Sequence, residues 1–280
     1  MNRLNKTFLV LRAGLQETFT DRKVIVLLVL LGFILDDGIR PLVDNAMKVG
    51  QPLGIFEGFI MCLNHWYYLV LFLVGFIFML ASVPRLDSGQ LLLIYRSGKK
   101  SWLFGEILQI AVSAAVYVLL LLAGCVIATA KYAYLGNIWS NFTTGYELEY
   151  KELLSDSQHL VDQQVFKYFL PYQAVIHGIL LLILCMTLMG TVILYCSIID
   201  KKLLGIILNV VLVFFVLIFY KYRIWVMWIS PFCHAVLIMH NIFVYKKFSV
   251  PLYYSYLYLI ILEGIMILLS CRALKNRLFY

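Results

Sequence analysis

A chain of 280 residues that is 63 % hydrophobic and only 14 % charged, with a mean hydropathy of +0.90, falls outside the range of soluble domains, which are nearer half apolar and a quarter charged. This is the composition of an integral membrane protein. The net charge of +8 calls for no nucleic acid, because Lys and Arg flanking membrane spans meet anionic headgroups.

The first element in chain order is residues 1–23. Leu4, Phe8, Leu11 and Leu15 recur at helical spacing, with Arg3, Lys6, Arg12 and Glu17 mostly on the other side, which predicts a helix lying on the inner membrane surface. Charge throughout this segment, and no small-residue cleavage site after the next apolar run, argue against a removable signal. A spanning helix needs about 20 apolar residues to cross roughly 30 Å of hydrocarbon. That ruler predicts six spans: Val24 to Leu35 with an extension, Trp66 to Val83, Phe104 to Ala130, Tyr172 to Ile199, Leu203 to Tyr220, and Leu252 to Cys271. The runs are continuously apolar, without the alternation of a barrel strand.

Between the second and third spans, residues 84–102 form an elaborate polar connection, PRLDSGQLLLIYRSGKKSW. Its SGKKS core half-matches a phosphate-binding loop, but Leu93 stands where the first glycine is needed and Lys100 where the Ser or Thr is needed. An ATP site in this chain is therefore not expected. Leu86 and Leu91 to Ile94 would give a short helix one apolar side, with Arg85, Asp87, Arg96, Lys99 and Lys100 exposed. Such an element rests on lipid or docks a partner. Residues 131–171 make a loop far longer than the two to eight residues usual between bundled helices, and Glu147 to Asp162 within it predicts an acidic capping helix. Residues 221–250 carry IWVMWISPFCHAVLIMH, two apolar pieces broken at Ser230 and Pro231. Both are too short to cross and predict a re-entrant or interfacial helix pair.

Orientation follows from the excess of Lys and Arg on the cytoplasmic side. With both ends on one side, that side holds Arg3, Lys6, Arg12, Arg22, Lys23, Arg85, Arg96, Lys99, Lys100, Lys201, Lys202, Arg272, Lys275 and Arg277, fourteen of the 23. Both termini are expected inside, in the plasma membrane of a bacterium. Six cysteines without paired spacing and five histidines without i, i+4 spacing suggest neither a disulfide framework nor a metal site.

Several polar residues fall within the spans. In the third, Glu106, Gln109, Ser113, Tyr117 and Gly124 share one helical face, which lines a cavity or meets another helix. Asp36 and Asp37 would sit about 18 Å deep if the hydrocarbon began at Val24, so either the span starts nearer Phe19 or its outer half borders water. Glu263 falls near the bilayer centre, roughly 17 Å from Leu252. It is a pathway residue or makes a structural hydrogen bond to a tyrosine or amide such as Asn209.

The surface helix, six spans with both ends inside, the basic loop after the second span and the broken apolar hairpin before the last together resemble the permease subunit of type-2 ABC transporters, the exporter-like class. The stretch RSGKKSWLFGEIL, Arg96 to Leu108, is similar to the entry into that family's third span. The resemblance implies a single permease domain over 1–280 and an all-α fold. It further implies that residues 84–102 are a coupling helix, with Arg85, Asp87, Arg96, Lys99, Lys100 and Trp102 meeting a separate ABC ATPase subunit that binds ATP and Mg²⁺. A second permease copy or paralogue would complete the transporter, which would move a peptide, a drug-like molecule, or a lipid or polysaccharide. The rival readings are a non-transporting immunity or assembly protein, and an intramembrane enzyme, for which no catalytic motif is found.

Overall fold

The computed structural model describes residues 3–84, 88–145, 160–222, 225–240 and 251–276. Arg85, Asp87, Arg277 and most of the predicted acidic helix Glu147–Asp162 lie outside the described residues. What is described is almost entirely helical, with one two-residue parallel strand pair, β1 (Leu53–Gly54) against β2 (Ala133–Tyr134).

Among the described residues, four helices are long and apolar enough to cross a membrane: α7 (Lys99–Thr129), α10 (Pro171–Ile198), α11 (Lys202–Tyr222) and α12 (Leu252–Asn276). They arise where the sequence is apolar for more than about 20 residues, the length that lets a helix satisfy its own backbone across hydrocarbon. α10 is the central one. Two thirds of its most apolar window is buried (67 %), against 17–39 % for the other three, and it packs on α7, α11 and α12.

Neither of the first two predicted spans reaches spanning length as a single α-helix. Val24 to Leu35 forms α2 (Lys23–Ile34), 12 residues and about 18 Å long. It runs through a π-turn, Leu35–Ile39, into α3 (Arg40–Val49). Trp66 to Val83 forms α5 (Trp66–Leu80), 15 residues, which reaches spanning length only together with α4 (Glu57–Asn64) across an 81° bend. At the bend His65 is extended, with ψ 121°. The buried Asn64 pins it there, donating to Ile60 O at 2.9 Å and accepting from the Ile238 amide at 3.1 Å. Counting the bent pair as one, five helical units among the described residues have spanning length.

α1 (Arg3–Thr20) lies along the N-terminal third of α7. The two run parallel: Val10 meets Gly105, and Gly14 and Thr18 meet Gln109. The approach is so close that a Cβ on Gly105 would lie 2.6 Å from Val10. At 31 residues, α7 is about 46 Å long, longer than the hydrocarbon is thick. α1 therefore braces one end of it while Leu4 and Phe8 remain exposed.

The expected helix pair within 221–250 takes another form in its described part. Residues 225–240 are three 3-10 turns, Trp225–Trp228, Pro231–Ala235 and Leu237–Met239, broken at Ser230 and Val236, which are extended. Apolar pieces this short, interrupted by Pro231, do not sustain an α-helix. In the long loop, α8 (Asn141–Gly145) and α9 (Gln163–Tyr168) are short.

Candidate functional site

The basic end of the bundle gathers the termini of several helices. α6 (Ser88–Ser97) turns into α7 at Gly98, whose φ of +86° lies in a region that side-chain-bearing residues rarely enter. Trp102 is fully buried and holds α6 in place: its indole N–H donates to Gln90 Oε1 at 3.3 Å, and Gln90 Nε2 donates to Glu17 of α1 at 3.4 Å. Lys99 donates to the Leu274 carbonyl, at 3.3 Å, in the last turn of α12. Of the predicted coupling residues, Trp102 and Lys99 thus tie α6 and α7 to the bundle. Arg96 and Lys100 face solvent, joined by Leu92 and Tyr95, the latter 91 % exposed. Arg85 and Asp87 fall outside the described residues.

The polar face of α7 is buried against neighbouring helices. Gln109 Nε2 donates to Thr18 Oγ1 of α1 at 2.8 Å. The Tyr117 ring stacks on Phe72 of α5 with centroids 4.2 Å apart, and its hydroxyl fits over Gly75. Ser113 Oγ, Tyr117 OH and both oxygens of Glu106 have no hydrogen-bond partner among the described residues. The Glu106 carboxyl, 1 % exposed, has Glu17 and Lys202 as electrostatic neighbours. An unbonded carboxyl buried in this way costs stability.

Glu263 meets Thr191 of α10, whose hydroxyl lies 3.1 Å from Oε2 and 3.0 Å from the Leu188 carbonyl. One O–H serves both acceptors, and Oε1 is left without a partner among the described residues. Asn209, expected as the amide partner, instead donates to Met189 O at 3.1 Å and Gly205 O at 3.0 Å.

Asp36 and Asp37 occupy the π-turn. Asp36 pairs with Arg40 at 3.1 Å, with both side chains more than 70 % exposed, a pairing worth little to stability. Asp37 accepts from Tyr68 OH at 3.1 Å. Gly32, Leu35, Asp36, Arg40, Asp44 and Ala128 line an open cleft beside the turn. π-turns inside helices recur at functional sites because the extra residue re-aims side chains.

Two buried clusters escape a sequence reading. Glu57 is fully buried yet well bonded: its oxygens accept from the Ser140 amide, Ser140 Oγ and Thr143 Oγ1, each at 2.7 Å. Its partners lie 83 and 86 residues away, with no spacing signal to announce them.

The second cluster centres on Ser255 of α12. His234 Nδ1 lies 2.8 Å and His240 Nε2 2.7 Å from Ser255 Oγ. The far nitrogens face carbonyls: His234 Nε2 donates to Trp228 O at 3.1 Å, and His240 Nδ1 donates to Val236 O at 2.9 Å. A neutral imidazole carries one N–H, so both nitrogens facing Ser255 are acceptors. The hydroxyl has a single proton to give. All three side chains are at most 1 % exposed. Burial lowers both imidazoles from the ordinary value to about 4, so the pair is held neutral and shares that one proton. Only the 3-10 turns bring these residues together.

No family model, no curated protein and no solved structure matches this chain.

Proposed function

We propose that this chain is the permease subunit of an ATP-driven exporter of the type-2 ABC class, with six spans and both termini in the cytoplasm. ATP and Mg²⁺ are bound by a separate subunit. The six spans are α2 with α3, α4 with α5, and α7, α10, α11 and α12. The observation that carries this reading is the α6–Gly98–α7 corner. A short amphipathic helix is locked to the bundle by Trp102, Gln90 and Lys99, while Leu92, Tyr95, Arg96 and Lys100 face outward. An element that is rigid behind and open in front passes a push from a cytosolic partner into α7, and through α1 and α12 into the rest of the bundle. The substrate path would lie where this chain meets a second permease.

Ser255 between two imidazoles is the arrangement among the described residues that best suits a nucleophilic enzyme. Its complete burial supports a structural role in the segment before α12 instead. The test of the permease reading is affinity purification of the tagged chain from its native membranes. An ATP-hydrolysing subunit should come with it in fixed ratio, and repeated recovery of the chain without any ATPase would overturn the reading.

A further inference from the structure

The N-terminus of α7 and the C-terminus of α12 enclose a cavity of about 390 Å³ at the basic end. Its rim carries four cations: Lys99 and Lys100 from α7, Arg272 and Lys275 from α12. Lys100, Arg272 and Lys275 are exposed and form no ion pair among the described residues. Lys99 is bonded to the Leu274 carbonyl, so the three exposed cations are the ones placed to meet an anion, and like charges gathered at one site favour its binding. The rest of the lining has the opposite character: Leu103 and Leu274 are buried and make an apolar floor, with Cys271 and the exposed Leu268 beside them.

The cavity also has a continuation. Leu257, Ile261, Ile265 and Leu268 are exposed along α12 at spacings of four, four and three, one helical face that leads away from the rim. From Leu257 to Leu268 this face is about 16 Å long, half of the roughly 30 Å hydrocarbon thickness and so the depth of one leaflet. A cationic rim, an apolar floor and an apolar track one leaflet long match a phosphate-bearing headgroup with its acyl chain. A soluble anion would leave floor and track unused.

We propose that this cavity is a binding site for an anionic phospholipid of the cytoplasmic leaflet, headgroup at Lys100, Arg272 and Lys275, and acyl chain along α12. The proposal rests on the reading of α7 and α12 as membrane spans. A bound lipid would join α7 to α12 beside the corner where α6 meets α7.

The test uses the full chain in nanodiscs of phosphatidylcholine with a minority of phosphatidylglycerol, and native mass spectrometry of the released protein. The wild type should retain phosphatidylglycerol enriched over the bilayer ratio. The double variant Arg272→Gln with Lys275→Gln should lose about tenfold or more of that enrichment, since each cation near a membrane surface is worth about fivefold in affinity for anionic lipid. The charge-keeping variant Arg272→Lys with Lys275→Arg should retain it, which separates lost charge from lost folding. Equal retention of both lipids by the wild type, or unchanged enrichment in the neutral double variant, would overturn the proposal. So would binding of inorganic phosphate in neutral detergent, abolished by the same variant, with no lipid enrichment. Both substitutions lie outside residues 84–102, so association with an ATPase should be unaffected, and a failure here is distinguishable from a failure of the coupling reading.

Discussion

Ser255 has one hydroxyl proton and two imidazoles facing it, an arrangement whose behaviour with pH has a definite sign. Both histidines are pushed down to about 4 from 6.5, chiefly by burial. Between those values the folded chain therefore binds fewer protons than the unfolded one. The stability contributed by the neutral pair is complete above about pH 6.5 and is lost as pH falls through 4. Among the described residues, the ionisable groups near the pair include Cys233 beside His234, Tyr254 and Tyr258 of α12, and His177 of α10 with its partner Tyr256. The thermal midpoint of the wild type should drop on going from pH 7 to pH 4, and His234→Gln with His240→Gln should flatten much of that slope. A double variant with the wild-type slope would show that other groups control the acid response.

At the scale of elements, the contact of α1 with α7 depends on the absence of side chains. A Cβ on Gly105 would fall 2.6 Å from Val10 Cβ and 3.1 Å from the Thr7 carbonyl oxygen, whereas one on Gly32 or Gly264 meets nothing within 4 Å. Gly105→Val should cost about 1–3 kcal/mol by overpacking and expose residues 3–20 to protease. Gly264→Ala should be neutral or stabilise by up to about 1 kcal/mol, because glycine weakens a helix interior. Equal stability of the two variants would contradict the observed packing. The same elements show what was legible beforehand. α7, α10, α11 and α12 were legible because a continuous apolar run longer than about 20 residues has few alternatives in a membrane. The runs Val24 to Leu35 and Trp66 to Val83 nearly coincide with α2 and α5; what hydropathy does not register is the π-turn at Asp36 and Asp37, where Tyr68 donates to Asp37, and the bend at His65, beside the bonds of Asn64. The polar face of α7 could be read from its spacing, but not that α1 and α5 would cover it. Glu57 and Ser255 stayed hidden because their partners are brought by turns and loops, which carry no periodicity.

For the whole molecule, the account requires the basic end to face the cytoplasm. With the native cysteines replaced, a membrane-impermeant maleimide added to intact cells should label a cysteine at Leu135, which is 73 % exposed beside β2, and spare one at Tyr95. Labelling of Tyr95→Cys alone would invert the orientation. The central claim is that the α6–α7 corner couples an ATPase to the spans. Lys99 is committed to the Leu274 carbonyl, so the most direct probe reverses only the two outward charges, Arg96→Glu with Lys100→Glu. Reversing two like charges at one interface can cost several kcal/mol through repulsion. The variant should be inserted and as thermally stable as the wild type, yet purify without the ATPase subunit or with ATP hydrolysis no longer linked to transport. A stable variant that keeps its ATPase and transports at the wild-type rate would contradict the coupling claim.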